Sequence, residues 1–189
     1  MSRFPEIPSD QWSQAQRAAA AAIASGPRGG ISGPFLPLLY SPGLMGRVQQ
    51  VGEYLRFEAA LPAALRELAI LVTARAWTAQ FEWFSHRPLA IAAGLSEKVI
   101  DDIFAARRPA QMSDQEAAVY DLCDEIHRLR TVSDATFQSA QTLLGRALVM
   151  DVIGLCGYYT LLAMVLNVSE VPIPSSATPL PPLDARHPG

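Results

Sequence analysis

The chain has 189 residues, half of them hydrophobic and 17% charged, with a formal net charge of −3. Such a composition buries enough apolar surface to offset the ordering entropy, so the body of the chain is not a disordered segment, and its length suits one domain of ordinary size. Nearly balanced charge excludes a general nucleic-acid binder, which needs a basic face to displace counterions from phosphates.

The first residues, MSRFPEIPSDQW, carry no apolar stretch after their arginine, so no signal peptide is expected. A helix is predicted from Ser9 or Asp10 through QAQRAAAAAIAS, stopping before Gly26-Pro27. Residues 26–43 are rich in Gly and Pro and read as an ordered loop or an extended arm. Ser41-Pro42 opens a second helix reaching about Ala59, with serine at the cap and proline in the first helical position. Pro62 starts a third helix through LRELAILVTARAW, and a fourth covers about Phe81 to Ala93 with Pro88 inside it, where a proline removes one backbone bond. Ser96 caps a short fifth helix. Ser113, with Glu116 in the capping-box position, opens a sixth that runs to about Arg130, and Ser133 opens a seventh.

An eighth helix follows, from about Gly145 to Val168. Its 22 residues from Ala147 to Val168 hold one charge, Asp151. That length suffices to span a bilayer. Asp151 inside the run, Asn167 near its end and the lack of a basic flank favour the centre of a bundle or an oligomer contact, with no membrane partner. Six of the fifteen prolines then fall between Val171 and Gly189, and this tail is expected to be a flexible end or an arm on a neighbouring subunit. Strand periodicity is nearly absent. The expected fold is all-α, one helical domain of seven to eight helices over residues 44–170, preceded by a helix and arm in 1–43 and followed by the tail, 171–189.

Chemistry-bearing residues are few. The cysteines, Cys123 and Cys156, form neither a disulfide framework nor a CxxC pair, and are expected to fill buried helix faces in a cytoplasmic protein. His187 lies in the proline-rich tail and is expected to be inert, while His127 sits among charges and is expected on a solvated face. His86 follows Glu82 by four residues, which puts both on one helical face. Glu67 lies 19 positions earlier, about 28 Å away along an unbroken helix, and joins them only if the chain turns between Trp77 and Gln80. Without that turn, Glu82 and His86 are an ordinary surface pair. GPRGG, Gly26 to Gly30, lacks the spacing and preceding strand of a phosphate loop, so no nucleotide is implied.

The stretch LRELAILVTARAWTAQFEWFSHRPLAIAAGLSEKVIDDI resembles the carboxymuconolactone decarboxylase family, which includes the alkylhydroperoxidase D-like proteins. The elements that carry the likeness are Arg66, Glu67 and Leu68, then His86, then Ala90, Ala93, Gly94, Leu95 and Ser96, and the helix order extends it into residues 113–170. The peroxidase branch has a CxxC seven and four residues before its histidine. Those positions hold Ala79 and Glu82 here, so no thiol is present to attack a peroxide at this site. Peroxidase activity by family membership is therefore the disfavoured alternative.

What remains is two carboxylates and an imidazole, a set suited to proton transfer. The resemblance implies a decarboxylase-like or lactone-processing enzyme that needs no cofactor and no metal. His86 is the expected general acid–base, with Glu82 orienting it or sharing its proton and Glu67 closing the network. Trp77 and Trp83 are candidates for apolar substrate walls, and Arg87 for a substrate carboxylate anchor. Decarboxylation, lactone hydrolysis and isomerisation all stay open. As ligand types Glu67, Glu82 and His86 would also suit a metal, although no HExxH or Cys-rich spacing supports one. A non-catalytic helical scaffold is the remaining alternative. The family likeness further implies a homo-oligomer, a trimer or a hexamer.

Overall fold

A computed structural model describes residues 2–183 and is all-α, with no strand among the described residues. The helices are α1 (Gln14–Ala24), α2 (Phe35–Leu38), α3 (Pro42–Glu53), α4 (Ala63–Ala76), α5 (Gln80–Ala92), α6 (Glu97–Phe104), α7 (Asp114–Leu129), α8 (Asp134–Leu144) and α9 (Arg146–Ser169). Two compact units divide them. One takes residues up to Ala59 together with Met164–Pro172, and the other takes Ala60–Ala163 together with residues from Ile173 on. These units cut the chain elsewhere than the arm, domain and tail expected from composition.

In the first unit α1 packs on α3, and Ala20 and Ile23 are buried there, as are Met45 and Val48. The first helix begins later than its composition suggests. Ser9–Gln11 forms only a 3₁₀ turn, and the capping box is Ser13 with Gln16, each side chain bonding the other's backbone N–H. The loop at 26–43 contains the short α2, whose Phe35 and Leu38 are buried. Helix α3 does not continue as α-helix to Ala59. It passes at Tyr54 into a π turn, Tyr54–Glu58, closed by Ala59 N–H on the Tyr54 carbonyl at 2.8 Å.

In the second unit α4 is the central element. It packs against α5, α6 and α7, and everything from Glu67 to Arg75 is buried, so it has no solvent face over that length. Its end is set by a turn of three residues. Thr78 N–H donates to the Arg75 carbonyl at 3.0 Å and Ala79 N–H to the Ala74 carbonyl at 2.8 Å, a Schellman closure with Thr78 at φ 47°. Ala79 is extended and α5 starts at Gln80. The helix does break between Trp77 and Gln80. Helix α5 then runs through Pro88 to Ala92.

Helix α7 opens with the capping box Ser113–Glu116 and packs on α4 and α8. Helix α9 is the one described helix long and apolar enough to cross a membrane, with 44% of its apolar window buried inside the chain. Val149, Val152, Leu155, Tyr159 and Leu162 lie on its buried side, whereas Met150 is 64% exposed and Ile153 39%. The proline-rich segment is not a free end at Leu180. Gln80 holds it on both sides, accepting from Leu180 N–H at 2.7 Å and donating to its carbonyl at 3.0 Å, and Leu180 is buried.

Candidate functional site

The α4–α5 hairpin brings together residues that 19 positions separate. His86 Nδ1 lies 2.7 Å from Glu67 Oε2, and both side chains are buried, 5% and 4% exposed. A carboxylate only accepts when ionised, so Nδ1 carries the proton in this pair and Nε2 is left as the nitrogen free to exchange one. Nε2 faces Glu82 Oε2 at 3.6 Å, within ion-pair reach and beyond hydrogen-bond distance. Glu82 is buried as well, at 3% exposure.

The hydrogen bond to the ring is thus made by Glu67, and Glu82 stands at the other nitrogen. The sequence left Glu82 either orienting the ring or sharing its proton, and the longer distance suits the second. Arg66 Nε stands 3.6 Å from Glu67 Oε1 and sets a positive charge behind that carboxylate. The Tyr159 ring meets the imidazole edge-on, with centroids 5.1 Å apart. The imidazole is enclosed and does not stand against open space.

The two carboxylates occupy opposite ring nitrogens, an arrangement in which one cation cannot take a ring nitrogen and both carboxylates at ordinary ligand distances. Among the described residues no group of three or more His, Cys, Asp or Glu is placed to hold a metal ion.

The proposed substrate contacts are scattered. Trp83 is buried against Phe104, ring centroids 5.6 Å apart. It lines, with Arg87, a partly open cavity of about 590 Å³. Arg87 also reaches Glu97 at 3.7 Å. Trp77 lies at the far end of α4 from Glu67 and lines a separate groove with His127 and Cys156. Neither of these cavities is lined by Glu67, Glu82 or His86.

His127 is not on a solvated face. It is half-buried, with Nε2 2.9 Å from Thr73 Oγ1 on α4. The cysteines are buried as expected, but they meet, with Sγ atoms 3.4 Å apart and both thiols free. Hydrogen bonds from Cys123, His127 and Thr73 hold the Cys156 thiol down at about 5 against the opposing effect of burial. The Cys123 thiol, hydrogen-bonded with Cys156 and buried in the core, is pushed well above its ordinary value. The sequence signal for half of this cluster was the Cys123–His127 spacing of four on one helix. Nothing local connects that pair to Thr73 or Cys156. His187 lies outside the described residues.

Comparison with known proteins agrees with the fold and with the α3–α7 segment. Residues 42–125 match the family model described as the carboxymuconolactone decarboxylase family. The matched segment holds Glu67, Glu82 and His86 and ends well short of residue 170. A solved structure described as an alkylhydroperoxidase AhpD core, an uncharacterized peroxidase-related protein from Ralstonia eutropha JMP134, is similar at a TM-score of 0.75. The likeness covers 92% of this chain and 93% of that one at 15% identity, and speaks for the fold alone. No curated protein matches the chain. Residues 42–125 are thus similar to the carboxymuconolactone decarboxylase family, and the chain has an alkylhydroperoxidase D-like fold.

Proposed function

We propose that the chain is a cofactor-independent acid/base enzyme acting on a small carboxylated lactone or oxo acid, with Glu67, His86 and Glu82 as its proton-transfer site. The observation that carries this reading is the flanked imidazole: Nδ1 fixed at 2.7 Å by one buried carboxylate, Nε2 facing a second at 3.6 Å. With Nδ1 held by Glu67, Nε2 is the nitrogen through which a proton can pass between His86 and a substrate, and Glu82 stands beside it.

In decarboxylation of an oxo acid the bond to the carboxylate carbon breaks and its electron pair moves into the substrate's own carbonyl. The resulting enolate takes a proton on carbon from His86 Nε2, and Glu82 supports the imidazolium before the transfer. Glu67 keeps the ring in place throughout. Trp83 and Arg87 line one cavity beside the α5 helix that carries Glu82 and His86; in this reading they hold a small acid, which must pass from that cavity to the enclosed imidazole.

A panel of β-oxo acids and carboxylated lactones tests the proposal, with CO₂ release and product NMR separating decarboxylation from hydrolysis and isomerisation. Wild type should turn over at least one member. His86→Gln should lower its kcat by about 10²–10⁴-fold. No turnover across the panel, or turnover indifferent to His86→Gln, overturns it.

A further inference from the structure

Arg75 is the least expected charge in the molecule. It sits in the buried run of α4 at 5% exposure, and its Nε and Nη1 are buried with no hydrogen-bond partner among the described residues. A guanidinium stays protonated even where burial lowers its pKa, as it does here, so its donors cannot be neutralised away. Leaving charged donors unmade in a core is among the costlier arrangements a fold can keep. Arg75 lines a partly open cavity of about 100 Å³ between α4, α7 and the end of α6.

Among the described residues the rest of the wall supplies no anion to spare: Asp124 is the one carboxylate, and it is engaged by Arg128 at 3.3 Å, one helical turn on. Tyr120 keeps its proton, because burial pushes its phenol up to about 12. His127, the fourth polar group of the α7 wall, is bonded to Thr73 and carries no negative charge in any state. The Asp124–Arg128 pair cancels, and Arg75 leaves the cavity with one uncompensated positive charge. Val72, Ile103 and Leu183 make much of the remaining lining apolar.

We propose that this cavity is a binding site for a short-chain monocarboxylate, held by its carboxylate on Arg75 and by its alkyl chain on the apolar wall. A planar guanidinium matches a carboxylate with parallel N–H···O bonds. The apolar wall favours an anion with a hydrocarbon end over inorganic phosphate, which would leave that wall unpartnered. Size sets the upper limit: a dry cavity of about 150 Å³ accepts benzene, so this smaller, partly open one takes an acid of no more than about four carbons. The site shares no residue with Glu67, Glu82 and His86, and the inference stands whether or not they transfer protons.

n-Butyrate is the probe, with butyramide as its uncharged match and phosphate as the inorganic anion. Butyrate should raise the Tm of the intact chain at constant ionic strength and shift the Arg75 Nε–H resonance, while butyramide and phosphate should not. Arg75→Met should fold at least as stably without ligand, because it removes an unmet charge, and should bind butyrate about tenfold or more weakly. Asp124→Asn should act in the opposite direction and tighten binding, since it leaves Arg128 uncompensated beside Arg75. His86→Gln should leave butyrate binding unchanged, so failure of the proton-transfer reading does not remove this one. Absence of a butyrate effect in wild type, an equal effect of phosphate, or unchanged binding in a folded Arg75→Met overturns the proposal.

Discussion

His86 Nδ1 and Glu67 Oε2 stand 2.7 Å apart although 19 positions separate them in the chain, and both groups are nearly sealed from solvent. The pair is thus a piece of the core as well as of the candidate site. Removing the ring leaves a buried carboxylate whose nearest remaining cation, Arg66 Nε, is at 3.6 Å. An imidazole facing open space could be deleted at little cost, but this one cannot. We expect His86→Ala to destabilise the fold by about 3 kcal/mol, and His86→Gln, which can still donate to Glu67, by clearly less. Urea unfolding of the two variants measures the difference, and equal stabilities would show that the bond to Glu67 contributes nothing.

The turn that makes this pairing possible is built on an unsuitable residue. Thr78 is β-branched and sits at φ 47°, in the left-handed region. Glycine there would relieve a left-handed cost of roughly 1–2 kcal/mol and add roughly 0.5–1 kcal/mol of chain entropy to the unfolded state. Thr78→Gly should therefore gain about 0–1.5 kcal/mol in stability by the same arithmetic. A lower urea midpoint in that variant would mean the Thr78 side chain contributes more than its backbone strain costs.

Much of this architecture was legible because it is written locally. Serine caps at 96, 113 and 133, the proline at 42 and the long apolar run of α9 each act within a few residues, and the helices begin close to where those signals fall. Glu82 and His86 share a helical face by spacing alone. The three-residue turn was inferred only because Glu67 needed it, since Trp77-Thr78-Ala79 contains no glycine or proline to announce a stop. Contacts between distant elements stayed illegible. Neither the grip of Gln80 on Leu180 nor the meeting of Cys123 with Cys156 leaves a trace in either local sequence. Which carboxylate bonds the ring was illegible for a related reason: i,i+4 spacing guarantees proximity but not a bond, and the shorter contact came across the hairpin.

Assembly is the next expectation. Met150 and Ile153 leave an apolar strip of α9 facing outward, 64% and 39% exposed. Such residues on an apolar helix of which only 44% of the apolar window is buried are suited to a second copy of the chain, whose contact would need about 800 Å² per partner to persist. Light scattering should give a mass above the 20.4 kDa of one chain, and Met150→Glu with Ile153→Glu should return it to the monomer. A wild-type monomer at micromolar concentration would end the idea.

The thiol pair should report on itself through pH. Cys156 is held at about 5 in the folded chain by donors on Cys123, His127 and Thr73, against about 8.5 for a thiol in the unfolded chain. A depressed folded pKa adds stability that is fully present above the unfolded value and is lost as pH falls through the folded one. Between those limits the folded chain carries a thiolate while the unfolded chain binds the proton, so stability should decline as pH drops from about 8 toward 5. Cys123 is shifted the other way and acts only where unfolded thiols ionise, above that window. The urea midpoint of wild type should therefore fall over this range by more than that of Cys156→Ser, which lacks the titrating group. Because the sulfur atoms are already 3.4 Å apart, diamide should join them within one chain, removing two hydrogens from the intact mass. Parallel pH profiles for wild type and Cys156→Ser would show that Cys156 is protonated in the folded state and that the cluster is simply part of the core.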